Sequence, residues 1–256
     1  MATAVVHYTA AALTDRGRKR PSNEDAFGLS VEHGVYVVCD GMGGAAAGEI
    51  ASSLAVAEMM RVLTQRDGLN PLLTDAERAV DAANQAIFTR SQRSQKLSGM
   101  GTTLVALLVE DRRAWMLNVG DSRGYRLRNS RAAGPENAGG PHLVQITIDH
   151  SLVEEQIRLG QMNRLEALRS PLRNVITRAL GTQNCLTADV FELEAEPGDL
   201  FLLCSDGLTR ELPDPQIESL MSLDVPLDDV CARLVAAANE AGGNDNITCL
   251  LVRASA

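Results

Sequence analysis

Short β-branched runs alternate along this chain with longer segments whose apolar residues recur every three or four positions, and the order of the two predicts its architecture. The short runs predict strands at 5–14, 35–39, 102–109, 114–119, 124–128, 143–147, 189–193, 199–204 and 247–252. The periodic segments predict helices at 48–63, 75–92, 151–159, 214–221 and 227–241. In the first helix Ile50, Leu54, Ala57, Met60 and Leu63 share a face, and in the second Ala79, Ala82, Ala83, Ala86 and Ile87 do, so each is expected to bury one stripe against a sheet. Strands such as 102–109 and 114–119 are only a few residues apart, which favours antiparallel hairpins over parallel strands with crossovers. Helices fall in groups between runs of strands, the order of an α+β layered fold.

Length and composition place these elements in one domain, 1–256. At 256 residues and 45% hydrophobic content the chain can bury a substantial core, and no Pro- or Ser-rich linker divides it. The segment 129–141, with Gly134-Pro135 and Gly139-Gly140-Pro141, reads as a long hairpin loop; a boundary there would split a strand pair. A formal charge of −9 argues against nucleic acid, whose phosphates need a basic surface. The five cysteines, Cys39, Cys185, Cys204, Cys231 and Cys249, form no C-x-x-C pair, and their odd number suits free thiols in a reducing cytoplasm. Residues 1–12 lack the basic start and apolar run of a signal peptide, and no segment is long enough to span a membrane.

The chemistry lies where strands end. Asp40, Asp121 and Asp206 each follow an apolar run, and Asp245 precedes one. Singly, Asp-Gly and Gly-Asp fragments read as turns, because Gly supplies positive φ and Asp bonds its own backbone. As a set held on a rigid sheet, carboxylates with no Cys/His ligand pattern suit hard divalent cations such as Mg²⁺ and Mn²⁺. Gly41-Met42-Gly43-Gly44 also resembles a phosphate-cradling loop, but no Gly-Lys-Ser/Thr follows it.

Read together with Arg20-Pro21-Ser22-Asn23-Glu24-Asp25 and Gly99-Met100-Gly101-Thr102-Thr103, these fragments follow one family's order. From about Thr14 to Val252 the chain resembles the metal-dependent protein serine/threonine phosphatases of type 2C, in their bacterial form. The resemblance implies a four-layer α-β-β-α sandwich, two packed antiparallel sheets flanked by helices. It also implies hydrolysis of phosphoserine and phosphothreonine on proteins by a water bridging two Mn²⁺ or Mg²⁺ ions, opposing a bacterial Ser/Thr kinase. Asp40 would bridge the ions, Gly41 would give its carbonyl, and Asp206 and Asp245 would complete the set; a glycine carbonyl can approach a metal closely. Asp121 would share a third, weakly held ion with Asp206. Glu24, Asp25 and Asn246 would stand behind the ligands, and Arg20 would grip the phosphate with its guanidinium fork.

A flap is expected at about 149–181, with Asn174 near its end and Ser170-Pro171 where the common bacterial pattern has His-Pro. His150 at its start reads either as an acid or as part of a helix-capping group. Met42 stands where animal members carry a histidine, and a thioether cannot donate a proton. The expected protein is a cytoplasmic monomer without nucleic-acid or membrane partners. Two other readings are a catalytically silent regulatory module on the same fold, and a phosphatase of small metabolites.

Overall fold

The computed structural model describes residues 6–43, 47–129 and 140–256. Two antiparallel sheets organise them. One runs β1 (His7–Asp15), β11 (Ile247–Ser255), β10 (Leu200–Cys204), β7 (Arg123–Asn129) and β8 (Pro141–Gln145). The other runs β2 (Asp25–Ser30), β3 (Val35–Met42), β5 (Leu104–Glu110), β6 (Arg113–Val119) and β9 (Asp189–Glu194), and the two-residue β4 (Gly101–Thr102) pairs with the end of β3.

Alternation along the strands builds three interlayer cores. Val35, Val37 and Cys39 of β3 and Leu104, Ala106 and Leu108 of β5 face α1 (Ala47–Thr64) and α2 (Leu72–Gln92). Tyr36, Val38, Val105 and Leu107 point the other way, onto Phe201, Leu203, Leu250 and Val252 of the facing sheet. Leu202, Cys204, Cys249 and Leu251 then turn outward against α5 (Asp206–Thr209), α6 (Asp214–Met221) and α7 (Leu227–Ala241). Because both faces of the central strands are covered, they read as continuous apolar runs. This is the expected α-β-β-α sandwich.

The structure corrects several local expectations. In α1 the buried positions are Ala47, Gly48, Ala51, Ser52, Ala55, Met59 and Leu63; Ile50, Leu54 and Met60 are half-buried, and Ala57 is exposed. The helix packs on both β3 and α2, and alanine is the side chain that permits close approach on two sides. Strand β2 escaped the pattern because Asp-Ala-Phe-Gly-Leu-Ser has little β propensity; pairing with β3 makes it a strand. Two short helices were also missed: α5, and α4 (Arg164–Arg169), which carries an Asn163/Glu166 capping box. The expected hairpin loop at 129–141 is flanked by paired strand ends, Asn129 opposite Pro141, but 130–139 lie outside the described residues. Gly44 of the glycine cluster also lies outside them. Cys39, Cys204, Cys231 and Cys249 are buried and Cys185 exposed, all as free thiols. No helix among the described residues is long and apolar enough to cross a membrane.

Candidate active site

One end of the sandwich collects the strand-end carboxylates. The β2/β3 register sets Asp25 opposite Asp40. Asp25 is buried, and its Oδ2 accepts from the hydroxyls of Ser205, at 2.7 Å, and Thr248, at 2.6 Å, so the hairpin is tied across to β10 and β11. Asp40 is anchored through its backbone. Its N–H donates to Thr103 Oγ1 at 2.9 Å, and its carbonyl accepts from Thr103 N at 2.9 Å and Thr102 Oγ1 at 2.8 Å. Thr103 Oγ1 also meets Ser122 Oγ at 2.7 Å, which joins the Asp40 loop to the loop of Asp121.

Three glycines let backbones converge here. Gly41 donates its N–H to the Glu24 carbonyl at 3.1 Å, and a Cβ at this position would strike the backbone of Gly48. A Cβ on Gly207, which follows Asp206, would strike the Asn246 carbonyl. Gly17 has φ +77° and lies against the Asp245 carbonyl, a conformation and a proximity that suit only glycine.

Asn246 fastens the N-terminal loop to this end. Its Nδ2 donates to the carbonyls of Arg16 at 2.9 Å and Ser22 at 2.8 Å, and its Oδ1 accepts the Glu24 N–H at 2.8 Å. The clamp carries Arg20 and Glu24 to Asp245: Arg20 Nη2 reaches Asp245 Oδ2 at 2.7 Å. A residue placed by sequence behind the metal ligands thus has a definite task in positioning a loop.

Arg210 was not foreseen. It sits four residues after Asp206, and its guanidinium pairs with Asp206, with Asp121 at 3.3 Å and with Asp245 at 3.7 Å. The i,i+4 spacing on a short helix is the signal that could have found it.

The electrostatics reflect crowding of like charge. Burial pushes the Asp25 carboxyl up to about 6, against the pull of its two hydroxyl donors. Burial and neighbouring carboxylates hold Asp40 and Asp206 well above the usual range. Asp121 is raised by burial, which Arg210 opposes, and Glu24 is raised by burial. One oxygen each of Asp25, Asp121 and Asp206 is buried with no hydrogen-bond partner. A hard cation would satisfy these oxygens and relieve the repulsion, so the donor set fits divalent ions. Among the described residues no three His, Cys, Asp or Glu side chains are gathered so that they could hold an ion as they stand. Asp121, Asp206 and Asp245 are instead paired with Arg210, and Asp245 also with Arg20.

The segment 149–181 borders a cavity of about 390 Å³ shared by Asp121, Asp206, Arg210, Arg173 and Asn174. Asn174 therefore faces the carboxylate end from across this space. The start of the segment is pinned: Arg123 holds Asp149 through bonds of 2.7–3.0 Å, and Ser151 caps α3 (Leu152–Arg158). His150 is buried as a wedge. Its Nδ1 accepts the Gly120 N–H at 3.0 Å, its backbone N–H donates to the Gly120 carbonyl at 2.9 Å, and Nε2 lies 3.1 Å from Asp189 and 2.9 Å from Arg178. An Nδ1 that accepts carries no proton, and burial lowers the pKa, so this is a neutral imidazole with both ring nitrogens engaged.

Comparison with known proteins gives a consistent result. A family profile described as protein phosphatase 2C matches residues 15–252. The serine/threonine phosphatase stp of Listeria monocytogenes is 36% identical over 246 residues, 93% of each chain. The protein phosphatase PhpP of Streptococcus pneumoniae is 37% identical over 245 residues, 94% of this chain and 95% of that one. The crystal structure of the catalytic domain of the serine/threonine phosphatase PstP, in complex with two manganese ions, superposes with a TM-score of 0.85 at 33% identity, over 98% of this chain and all of that one.

Proposed function

This chain belongs to the protein phosphatase 2C family, and we propose that it hydrolyses phosphoserine and phosphothreonine on proteins. The observation that carries this reading is the buried carboxylate cluster, whose unpartnered oxygens and raised pKa values call for cations. In this reading Asp40, the Gly41 carbonyl, Asp206 and Asp245 hold two Mn²⁺ or Mg²⁺ ions, with a third weak position between Asp121 and Asp206. Bound there, the ions would activate water and neutralise charge on the phosphoryl group.

The chain's own residues do the rest. Arg20, half in solvent at the rim, offers its fork to two phosphoryl oxygens once Asp245 is engaged elsewhere. Glu24 and Asp25 stand behind the ligands, and Asn246 keeps the Arg20 loop in place. Residues 149–181 act as a flap that presents Asn174 to the docking protein, and 1–256 forms one catalytic unit. His150 is not the acid, because its ring is spent on Gly120 and Asp189. With Met42 in place of a donor, the leaving oxygen takes its proton from water. The partner is a bacterial Ser/Thr kinase whose products the enzyme reverses, and the four buried free thiols accord with a reducing cytoplasm, where the protein acts as a monomer. The silent-module reading has no missing carboxylate to support it.

The test is Mn²⁺-dependent release of phosphate from a phosphothreonine peptide by wild type and by Asp40→Asn, Asp206→Asn and Asp245→Asn. Asn keeps the shape and removes the charge, so each variant should lose turnover while retaining its fold. Activity within about tenfold of wild type at saturating Mn²⁺ would remove that residue from the site. A small phosphometabolite turned over far better than the peptide would redirect the substrate assignment.

A further inference from the structure

Away from the carboxylate end, the helical layer over the second sheet carries a feature that hydrolysis does not use. A groove of about 600 Å³ opens between α1, the C-terminal half of α2 and the short 3-10 helix Gln95–Leu97 that follows. Leu54, Ala86 and Leu97, all half-buried, give it apolar walls, and the exposed Arg90 and Arg93 stand beside them. No acidic residue lines it, in a chain with 33 acidic and 24 basic residues, so its charge is opposite to that of the molecule. Among the described residues neither guanidinium is engaged in an ion pair or a hydrogen bond. The helix dipole accounts for a cation at this end of α2, but not for an apolar trough next to two of them.

The groove leads to the active end. Met100 donates its N–H to the Leu97 carbonyl at 3.2 Å, and the next two residues, Gly101 and Thr102, form β4 against Met42 and Gly41. On the other wall, Leu54 stands about 10 Å along α1 from Ala47, where the helix begins beside the Gly41 loop.

We propose that this groove docks an acidic segment with apolar anchors, carried by the phosphoprotein substrate apart from its phosphorylated residue. The inference rests on the phosphatase reading above and adds a substrate class to it. Guanidinium forks match carboxylates, and the trough takes the apolar side chains between them. Net negative charge elsewhere repels such a segment, so its charge steers it to this face. A docked substrate holds its phosphorylated residue near the site at raised effective concentration, which lowers KM and leaves kcat unchanged.

The probe is an acidic peptide with two leucines three residues apart, joined to a phosphothreonine peptide by a Gly-Ser linker of about ten residues, which reaches about 17 Å. With wild type and saturating Mn²⁺, the added segment should lower KM at least fivefold against the unextended peptide. Arg90→Glu/Arg93→Glu should abolish that gain and keep kcat and KM for the unextended peptide within twofold. Replacing both leucines by serine leaves the enzyme and the charges untouched and should also remove most of the gain. In EDTA, fluorescence anisotropy of the labelled acidic segment alone should show binding at least tenfold weaker to the double variant than to wild type. No gain from the segment, or a gain indifferent to both the arginines and the leucines, would overturn the proposal. So would a wild-type dimer in sedimentation that Arg90→Glu/Arg93→Glu dissolves, which would give the groove to a second copy of the chain. If neither peptide released phosphate, the phosphatase reading would fall, while anisotropy in EDTA would still decide the groove.

Discussion

Asp25→Asn should stabilise the EDTA-treated protein at neutral pH, although it removes a buried carboxylate. Both hydroxyl donors, Ser205 and Thr248, converge on Oδ2, Oδ1 has no hydrogen-bond partner, and Asp40 stands opposite Asp25 in the β2/β3 pair. Asn can keep its oxygen under the two hydroxyls and turn its NH₂ toward Asp40, so the packing is conserved and no donor is lost. The magnitude follows from the carboxyl being raised to about 6 from 3.8. At 1.36 kcal/mol for each pH unit, ionised Asp25 destabilises the folded chain by about 3 kcal/mol. The sign is that of a raised acid. Well below pH 3.8 the carboxyl is protonated in both folded and unfolded chains and there is no penalty. Between 4 and 6 the unfolded chain ionises first, so stability is lost as pH rises, and above 6 the loss is complete. Urea unfolding in EDTA at pH 4.0, 5.0, 6.0 and 7.5 should show the variant nearly matching wild type at pH 4.0 and exceeding it by about 3 kcal/mol at 7.5. Saturating Mn²⁺ should shrink the gap, since a nearby cation favours the ionised carboxyl. A variant less stable than wild type at pH 7.5 in EDTA, or a gap independent of pH, would refute the reasoning.

Arg20→Ala should raise KM for a phosphopeptide more than it lowers kcat, for a total of about 1–3 kcal/mol in kcat/KM, the worth of a charge-assisted hydrogen bond; an unchanged KM would return Arg20 to a structural pairing with Asp245. Gly17→Ala should cost about 1–2 kcal/mol for forcing Cβ into the left-handed region and, because that Cβ strikes the Asp245 carbonyl, should also weaken Mn²⁺ binding. Titration showing full Mn²⁺ affinity in that variant would mean that Asp245 does not depend on the Gly17 turn.

The amino-acid sequence by itself determined the layered fold and the position of the chemistry. Runs such as Val35–Cys39 and Leu200–Cys204 are apolar on both faces because they lie between a helical layer and another sheet, and that demand is written locally. Asp40, Asp206 and Asp245 stand out as candidate ligands because strand ends and tight turns are local signals, and Arg20 as a candidate phosphate grip because it shares a motif with Glu24. Tertiary structure decided what those side chains touch. Asp25 is held by hydroxyls 180 and 223 residues away, and Asn246 ties its loop to carbonyls 224 and 230 residues away. No periodicity records such pairs. Strand β2 exists through pairing with β3 rather than through its own propensity, and α1 turned its alanines inward because it packs on two neighbours at once. Arg210 is the sharpest case: four residues from Asp206 it reads as an ordinary helix pair, and only the meeting of two loops and a helix makes it the cation among three aspartates. Local propensity acts over a few residues, while charge and packing act through space, so the chain specifies its site's members locally and their partners only once it has folded.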